Sequence, residues 1–301
     1  MAVQERLPAG TILLCDSQAF GCAGAVFRVD PETGEPRTLA VGGDLQGATG
    51  LAFEADGSLL ISKDRFFPGT GALLRLPAGT GTQTEVSSGQ KFATPGDVAV
   101  EADGQILVAD SFALGSGAVI RIHPATGDQS VVSPGEGQGD PPPRPVKLCT
   151  APDGTILVVE QAMAGGGDHS ARVVRVDPAT GARTTVTSGG ELRSPIGVAV
   201  DGDGGILVAD ANAFAGFGGG VISVDPVSGA QTTVASGGGF VAPQALAVEA
   251  DGSILVTDNE ALDGVGTLFR VDPATGAQQV LASGGDFRRL TGVAVVPAAA
   301  G

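Results

Sequence analysis

The stretch SPIGVAVDGDGGILVAD, Ser194 to Asp210, returns forty-eight residues later as APQALAVEADGSILVTD, ending at Asp258. Each copy reads as a β-branched run, an Asp-Gly turn and a second β-branched run, the pattern of a hairpin. The Asp of this turn recurs at 56, 103, 153, 203 and 251, with spacings of 47, 50, 50 and 48. A weaker copy, PAGTILLCD, puts Ala9 in the Asp position 47 residues before Asp56. One such unit cannot bury its own apolar faces, so the copies must stack. A period of about 40–50 residues built from strand signals alone predicts propeller blades.

Four strands can be read in each repeat, for example 197–200, 206–210, 220–225 and 231–238. The last two are joined by DPATG-type turns at Asp30–Gly34, Asp177–Gly181, Asp225–Gly229 and Asp272–Gly276. Pro presets the turn and Gly takes its left-handed position. Helical periodicity is absent. The chain opens on a second strand, ILLCD (12–16), and closes on an orphan first strand, TGVAVVP (291–297). The expected fold is therefore all-β, a six-bladed β-propeller of four-stranded blades in which the last strand completes blade one and leaves no sheet edge free. The blades fall at 1–46 plus 291–301, 47–92, 93–140, 141–192, 193–240 and 241–290.

At 301 residues and 42% hydrophobic, the chain can bury a large core as one body. Its 49 Gly and absence of Trp and Tyr suit short strands and tight turns. The formal charge of −16 opposes binding to phosphate backbones and anionic membrane surfaces. No apolar run approaches the ~18 residues of a membrane span. The opening MAVQERLPAG lacks the layout of a signal peptide, so a cytoplasmic location is expected. Three cysteines do not make a disulfide framework; Cys15 and Cys22 bracket one loop and are read as reduced.

The motifs P-x-G-V-A-V-x-x-D-G-x-I-L-V-A-D and V-x-R-V-D-P-A-T-G resemble those of NHL-repeat and gluconolactonase/regucalcin-like propellers over essentially the whole chain. In gluconolactonase-like enzymes the residue before the G of the innermost strand supplies a ligand to one divalent cation. The resemblance puts Thr49, Gly96, Val146, Ile196, Gln244 and Thr291 in that slot. None is a carboxylate, and a calcium-like ion wants six to eight oxygens. No cofactor is therefore favoured, and the polar residues Thr49, Gln244 and Thr291 are expected to touch a ligand instead.

The Asp-Gly and DPATG turns share one rim, the bottom, where DGDG (201–204) reads as a plain hairpin turn. The longer, varied loops share the top. A large apolar residue recurs four positions after each acid that ends a second strand: Phe20, Phe67, Leu114, Phe214 and Leu262. That regularity predicts plugs between blades. The irregular Phe66, Phe112, Met163 and Phe217 are the expected pocket lining, with Phe92, Phe240 and Phe287 on the same side. The strand-ending ring itself is Asp16, Lys63, Asp110, Glu160, Asp210 and Asp258. Its recurring Asp residues read as loop caps. Lys63 and Glu160 break the pattern and are the expected acid–base groups, joined by His169 from the DHS insertion (168–170). Asn259 and Glu260 form a further unrepeated polar pair, and Asp97 and Lys147 replace small residues in adjacent innermost strands, where they are expected to pair. The Arg set 28, 75, 121, 175 and 270 reads as structural. GEGQGDPPPRP (135–145) reads as a stiff link and partial lid.

The function expected from this reading is a propeller that binds a small hydrophobic organic molecule in a top-face funnel. It would transform that molecule, if at all, by metal-free hydrolase, lyase or cyclase-type chemistry. One alternative is a lactone or ester hydrolase holding a divalent cation such as calcium on Asp110, Glu160 and Asp210. The other is a non-catalytic scaffold with a protein partner on the top rim.

Overall fold

The computed structural model describes residues 7–64, 71–78, 80–137, 142–162, 171–213 and 218–297, without the side chains of 162 and 263. Five second strands, Ile12–Asp16, Leu59–Lys63, Ile106–Asp110, Ile206–Asp210 and Ile254–Asp258, are buried at every position. A strand that shows no alternation must be covered on both faces. Here it is covered by the neighbouring blades. There are six antiparallel sheets of four strands, and six apolar clusters, each shared between two adjacent blades. The C-terminal strand Leu290–Val295 pairs with Ile12–Asp16 and closes the ring. This is the six-bladed propeller that the repeat predicts. Its only α-helices among the described residues are single turns at Ala19–Cys22 and Ala261–Gly264.

The bottom rim is stitched by repeated devices. Arg75, Arg121, Arg175 and Arg270 each donate to a proline carbonyl in the next blade's turn: Pro124, Pro178, Pro226 and, across the closure, Pro31. Three of these guanidiniums are held by Glu54, Glu101 and Glu249. In the DPATG turns, Asp30, Asp177, Asp225 and Asp272 accept backbone N–H bonds from residues two and three positions on. His123 Nδ1 fills that position in blade three. Gly229 has φ +71, and a Cβ there would strike the Val186 carbonyl of the preceding blade, so the turn needs glycine twice over.

The innermost strands are Leu290–Val295, Ala48–Phe53, Pro95–Val100, Pro143–Thr150, Pro195–Val200 and Pro243–Val248. Their inner edge faces the central channel, where a missing N–H breaks no ladder, and four of them begin with proline. The stretch read as a stiff link is corrected in part: Pro143, Arg144 and Pro145 belong to the eight-residue strand of blade four. Residues 138–141 lie outside the described region.

Candidate functional site

Near its start every innermost strand shifts register against the second strand, and the residue passed over is Thr49, Gly96, Val146, Ile196, Gln244 or Thr291. These are the six positions that the resemblance to gluconolactonase-like enzymes put in a cation slot. Here their polar side chains serve the ring itself. Thr49 Oγ1 donates to Pro95 O at 2.8 Å, and Thr291 Oγ1 donates to Ala48 O at 2.7 Å, each joining one blade to the next. Gln244 Nε2 donates to Ala242 O at 3.0 Å. Hydroxyls already committed to carbonyls, with the neighbouring Asp97 carboxylate set against the Lys147 ammonium, do not fit a divalent cation.

One position further on, Lys147 crosses the channel. Its ammonium donates to the carbonyl of Thr49 in blade two and to that of Thr291 in blade one, the latter at 2.9 Å. It lies 3.6 Å from Asp97 of blade three, which also accepts from Leu148 N–H. Burial raises the Asp97 pKa, and Lys147 opposes that rise. The expected Asp97–Lys147 pair thus exists within a four-blade knot. A cavity of about 350 Å³ is bounded by Lys147, Asp97 and the later residues of all six innermost strands. Cys149 on its wall is pushed by burial to about 12.

A second cavity, about 260 Å³, opens on the top face where blades one and two meet. Thr49, Thr291 and Ala48 line it from the innermost strands, Cys22 and Gln18 from the first top loop, and Asp64 and Arg289 from two further segments. The threonines are those whose carbonyls Lys147 holds, so the ammonium lies between the two spaces. Cys22 is free and exposed, whereas burial pushes Cys15 to about 11. Burial, and secondarily the charge of Asp110, raises Asp64 above the ordinary carboxylate range.

The strand-ending ring is no funnel. Asp110 accepts backbone N–H bonds at 2.7–3.0 Å from Ala93, Thr94, Phe112 and Ala113, fastening the link that enters its blade to the loop that follows. Asp16, Asp210 and Asp258 do the same. Burial raises Asp210 against the opposing pull of those bonds.

The two pattern-breaking residues, expected as acid–base groups, each perform the same fastening with altered charge. Lys63, almost wholly buried, reaches Asp44 in the link at 2.7 Å. Glu160, wholly buried, receives Arg172 and Arg183, while Glu136 of the link pairs with Arg172 at 2.9 Å. Asp110, Glu160 and Asp210 therefore do not converge. Among the described residues no group of three or more His, Cys, Asp and Glu side chains is placed to hold a metal ion.

Plug and rim are exchanged relative to expectation. Leu45, Phe92, Leu192, Phe240 and Phe287, in the links, are the buried plugs. Phe20, Leu114 and Leu262, expected as plugs, are 41%, 59% and 49% exposed on backbone with φ of +52, +54 and +47. The left-handed turn throws each outward, and the alanine before it (Ala19, Ala113, Ala261) packs inside. The D-x-x-A spacing carried that signal. Phe112 lies under the Arg144 guanidinium, 4.1 Å from ring centroid to Cζ, and is still 37% exposed, so one face of its ring is covered. Asn259 Oδ1 is buried with no partner among the described residues, and Glu260 N–H caps onto Asp258. Phe66, Met163, Phe217 and His169 lie outside the described residues, as do Phe67 and Phe214.

No family model matches the chain, and no curated protein matches it. Solved structures do. A chain of a nidogen/laminin complex aligns with TM-score 0.71 at 17% identity, covering 95% of this chain and 98% of that one. TolB from Acinetobacter baumannii aligns with TM-score 0.71 at 14% identity, over 96% and 67%. A protein described as a 6-phosphogluconolactonase from Bacteroides fragilis gives 0.64 at 15%, over 96% and 98%. The likeness is one of fold. It places the chain among β-propellers and assigns it no activity.

Proposed function

We propose that this propeller binds a small organic molecule in the top-face cavity between blades one and two. The carrying observation is that four sequence-distant segments converge there on a concave space of about 260 Å³ with both polar and apolar walls. Small-molecule sites have this character. The strand and turn motifs support kinship with NHL-repeat and gluconolactonase-like propellers, but the occupied threonines of the bulge argue against their metal chemistry. Three unpaired cysteines favour a reducing compartment such as the cytoplasm.

Cys22 supplies the test. It is the exposed thiol on the cavity wall, while Cys15 and Cys149 are buried with raised pKa values. Its alkylation by iodoacetamide, followed by mass spectrometry, reports occupancy. A collection of neutral, anionic and cationic fragments should include members that slow Cys22 alkylation saturably at low-millimolar concentration. If none does, the cavity is not a binding site.

A second reading, a protein-docking top rim, is favoured by exposed Phe20, Leu114 and Leu262. Their joint replacement by Ser would abolish such docking and leave fragment binding intact.

A further inference from the structure

Among the described residues, five of the six junctions between blades are clasped by the residue at the head of the next blade's outer strand. Gln83, Gln129, Gln231 and Gln278 each reach back to the preceding link. Their Oε1 accepts the N–H of Asp44, Lys91, Glu191 or Gly239, and their Nε2 donates to the carbonyl of Gly42, Gly89, Gly189 or Gly237, all at 2.7–3.2 Å. Between blades three and four Arg183 has that place and holds Ser133, Pro134 O and Glu136 instead. Where blade six meets blade one the place belongs to Pro36, which stands opposite Val29 as Gln278 stands opposite Val271. Proline has no amide to offer, and Arg288 of the same link bonds to Gly285 O and Phe287 O rather than across the junction. The space shows the difference. A Cβ on Gly43, Gly190 or Gly238 would lie 2.7–2.8 Å from the clasping Gln Oε1, whereas one on the equivalent Gly285 would have nothing within 4 Å.

We propose that the ring opens at this junction: the link 284–289 and the strand Leu290–Val295 release together, as one strap, before the rest of the fold unfolds. Two differences from the other blades meet in this strap. The clasp is missing, and its two hydrogen bonds are worth about tenfold in an opening equilibrium. The tether is missing as well. In the other blades an Asp-Gly turn joins the innermost strand to the second, while Leu290–Val295 meets Ile12–Asp16 by pairing alone. The remaining fastenings do not compensate, because they are those of every blade. Arg288 and Arg289 N–H on Asp16, and Arg270 on Pro31 O, repeat what Asp210 and Arg121 do elsewhere. Segments held by fewer bonds open first. Opening bares the inner edge of Ile12–Asp16 and draws Thr291 and Arg289 out of the wall of the upper cavity. Cys15 reports it. That thiol is wholly buried beneath the strap, with its Sγ 3.4 Å from Thr291 Oγ1 and packed against Gly292.

The experiment follows opening of the full chain under native conditions. Hydrogen exchange read by mass spectrometry should find Ile12–Asp16 and Leu290–Val295 exchanging about tenfold or more faster than Ile206–Asp210 and Pro195–Val200, their equivalents in clasped and tethered blade five. In a Cys22→Ser background, iodoacetamide should alkylate Cys15 at a rate that rises with urea less steeply than global unfolding does, because a partial opening exposes less surface. Pro36→Gln supplies the clasp and should slow both readouts about tenfold. Pro36→Ala removes the proline ring without supplying the amide and should slow neither. If the two strands exchange no faster than those of blade five, or if Cys15 is alkylated with the full urea dependence of global unfolding, the ring does not open here. If the Gln and Ala variants behave alike, the missing clasp is not the cause and the proposal falls. The comparison with blade five needs only the parent fold, so it decides the matter even where a variant folds poorly.

Discussion

Replacing Lys147 by Met tests the knot that joins four blades across the channel. The side chains of Lys147 and Asp97 are 11% and 15% exposed and lie 3.6 Å apart. At an effective dielectric of about 20, unit charges at that separation attract by about 4–5 kcal/mol. Removing one member of a buried pair costs about 3–5 kcal/mol, because the other charge is left stranded. The carbonyls of Thr49 and Thr291 also lose their donor, but both border cavities that water can enter, so their contribution is smaller. Lys147→Met should therefore destabilise by about 3–5 kcal/mol. Asp97→Ala combined with Lys147→Met should recover most of that loss, since an absent pair costs far less than a broken one. Asp97 already has a raised pKa, and without Lys147 it must rise further; the single variant should be least impaired in mild acid, where Asp97 is neutral. The chain has no Trp or Tyr, so urea unfolding is followed by circular dichroism. A single-variant cost below about 1 kcal/mol, or a double variant no better than the single, would refute the reasoning.

Leu114→Gly should be neutral or stabilising by up to about 1 kcal/mol, because the residue is exposed and its φ of +54 suits glycine. A loss of about 3 kcal/mol or more, measured by the same unfolding, would mean that Leu114 plugs the blades after all. Acid sensitivity should come from the bottom turns. Backbone N–H bonds hold Asp30, Asp177, Asp225 and Asp272 below the ordinary carboxylate pKa, so their stabilisation is complete above about pH 4 and is lost as pH falls through the folded values. Asp→Asn at all four keeps an acceptor oxygen but removes this dependence. The variant's melting temperature should therefore fall less than the parent's between pH 4 and pH 2, and equal falls would exclude the turns as the cause.

Repetition made the scaffold readable. The Asp-Gly ruler, the hairpin turns and the split first blade all follow from backbone chemistry that recurs in register, and so do the structural roles of Arg75, Arg121, Arg175 and Arg270. The Asp97–Lys147 pair was legible because two opposite charges replace small residues at one position of adjacent strands. Departures from the repeat were harder to read. Lys63 and Glu160 look functional when one position is compared across copies. Their compensating partners, Asp44 for the first and Arg172, Arg183 and Glu136 for the second, sit at other positions of the repeat, so the swap is invisible until the chain is folded. Phe20 and Leu114 read as plugs because periodicity places a residue in a loop without saying which way a left-handed turn will throw its side chain. The cavity could not be found at all: Cys22, Asp64 and Arg289 belong to no motif and meet only because the ring brings the last inter-blade link beside the first two top loops.

The pairing of Leu290–Val295 with Ile12–Asp16 also sets an order of events at the ribosome. Ile12–Asp16 waits for its inner neighbour until the five blades between them have been made, a delay on the order of a quarter of a minute to a minute at about 5–20 residues per second. Throughout that interval ILLCD, five apolar or buried positions in a row, offers an open ladder to any passing strand. Of the six blades, the one that is started first is the last to be finished.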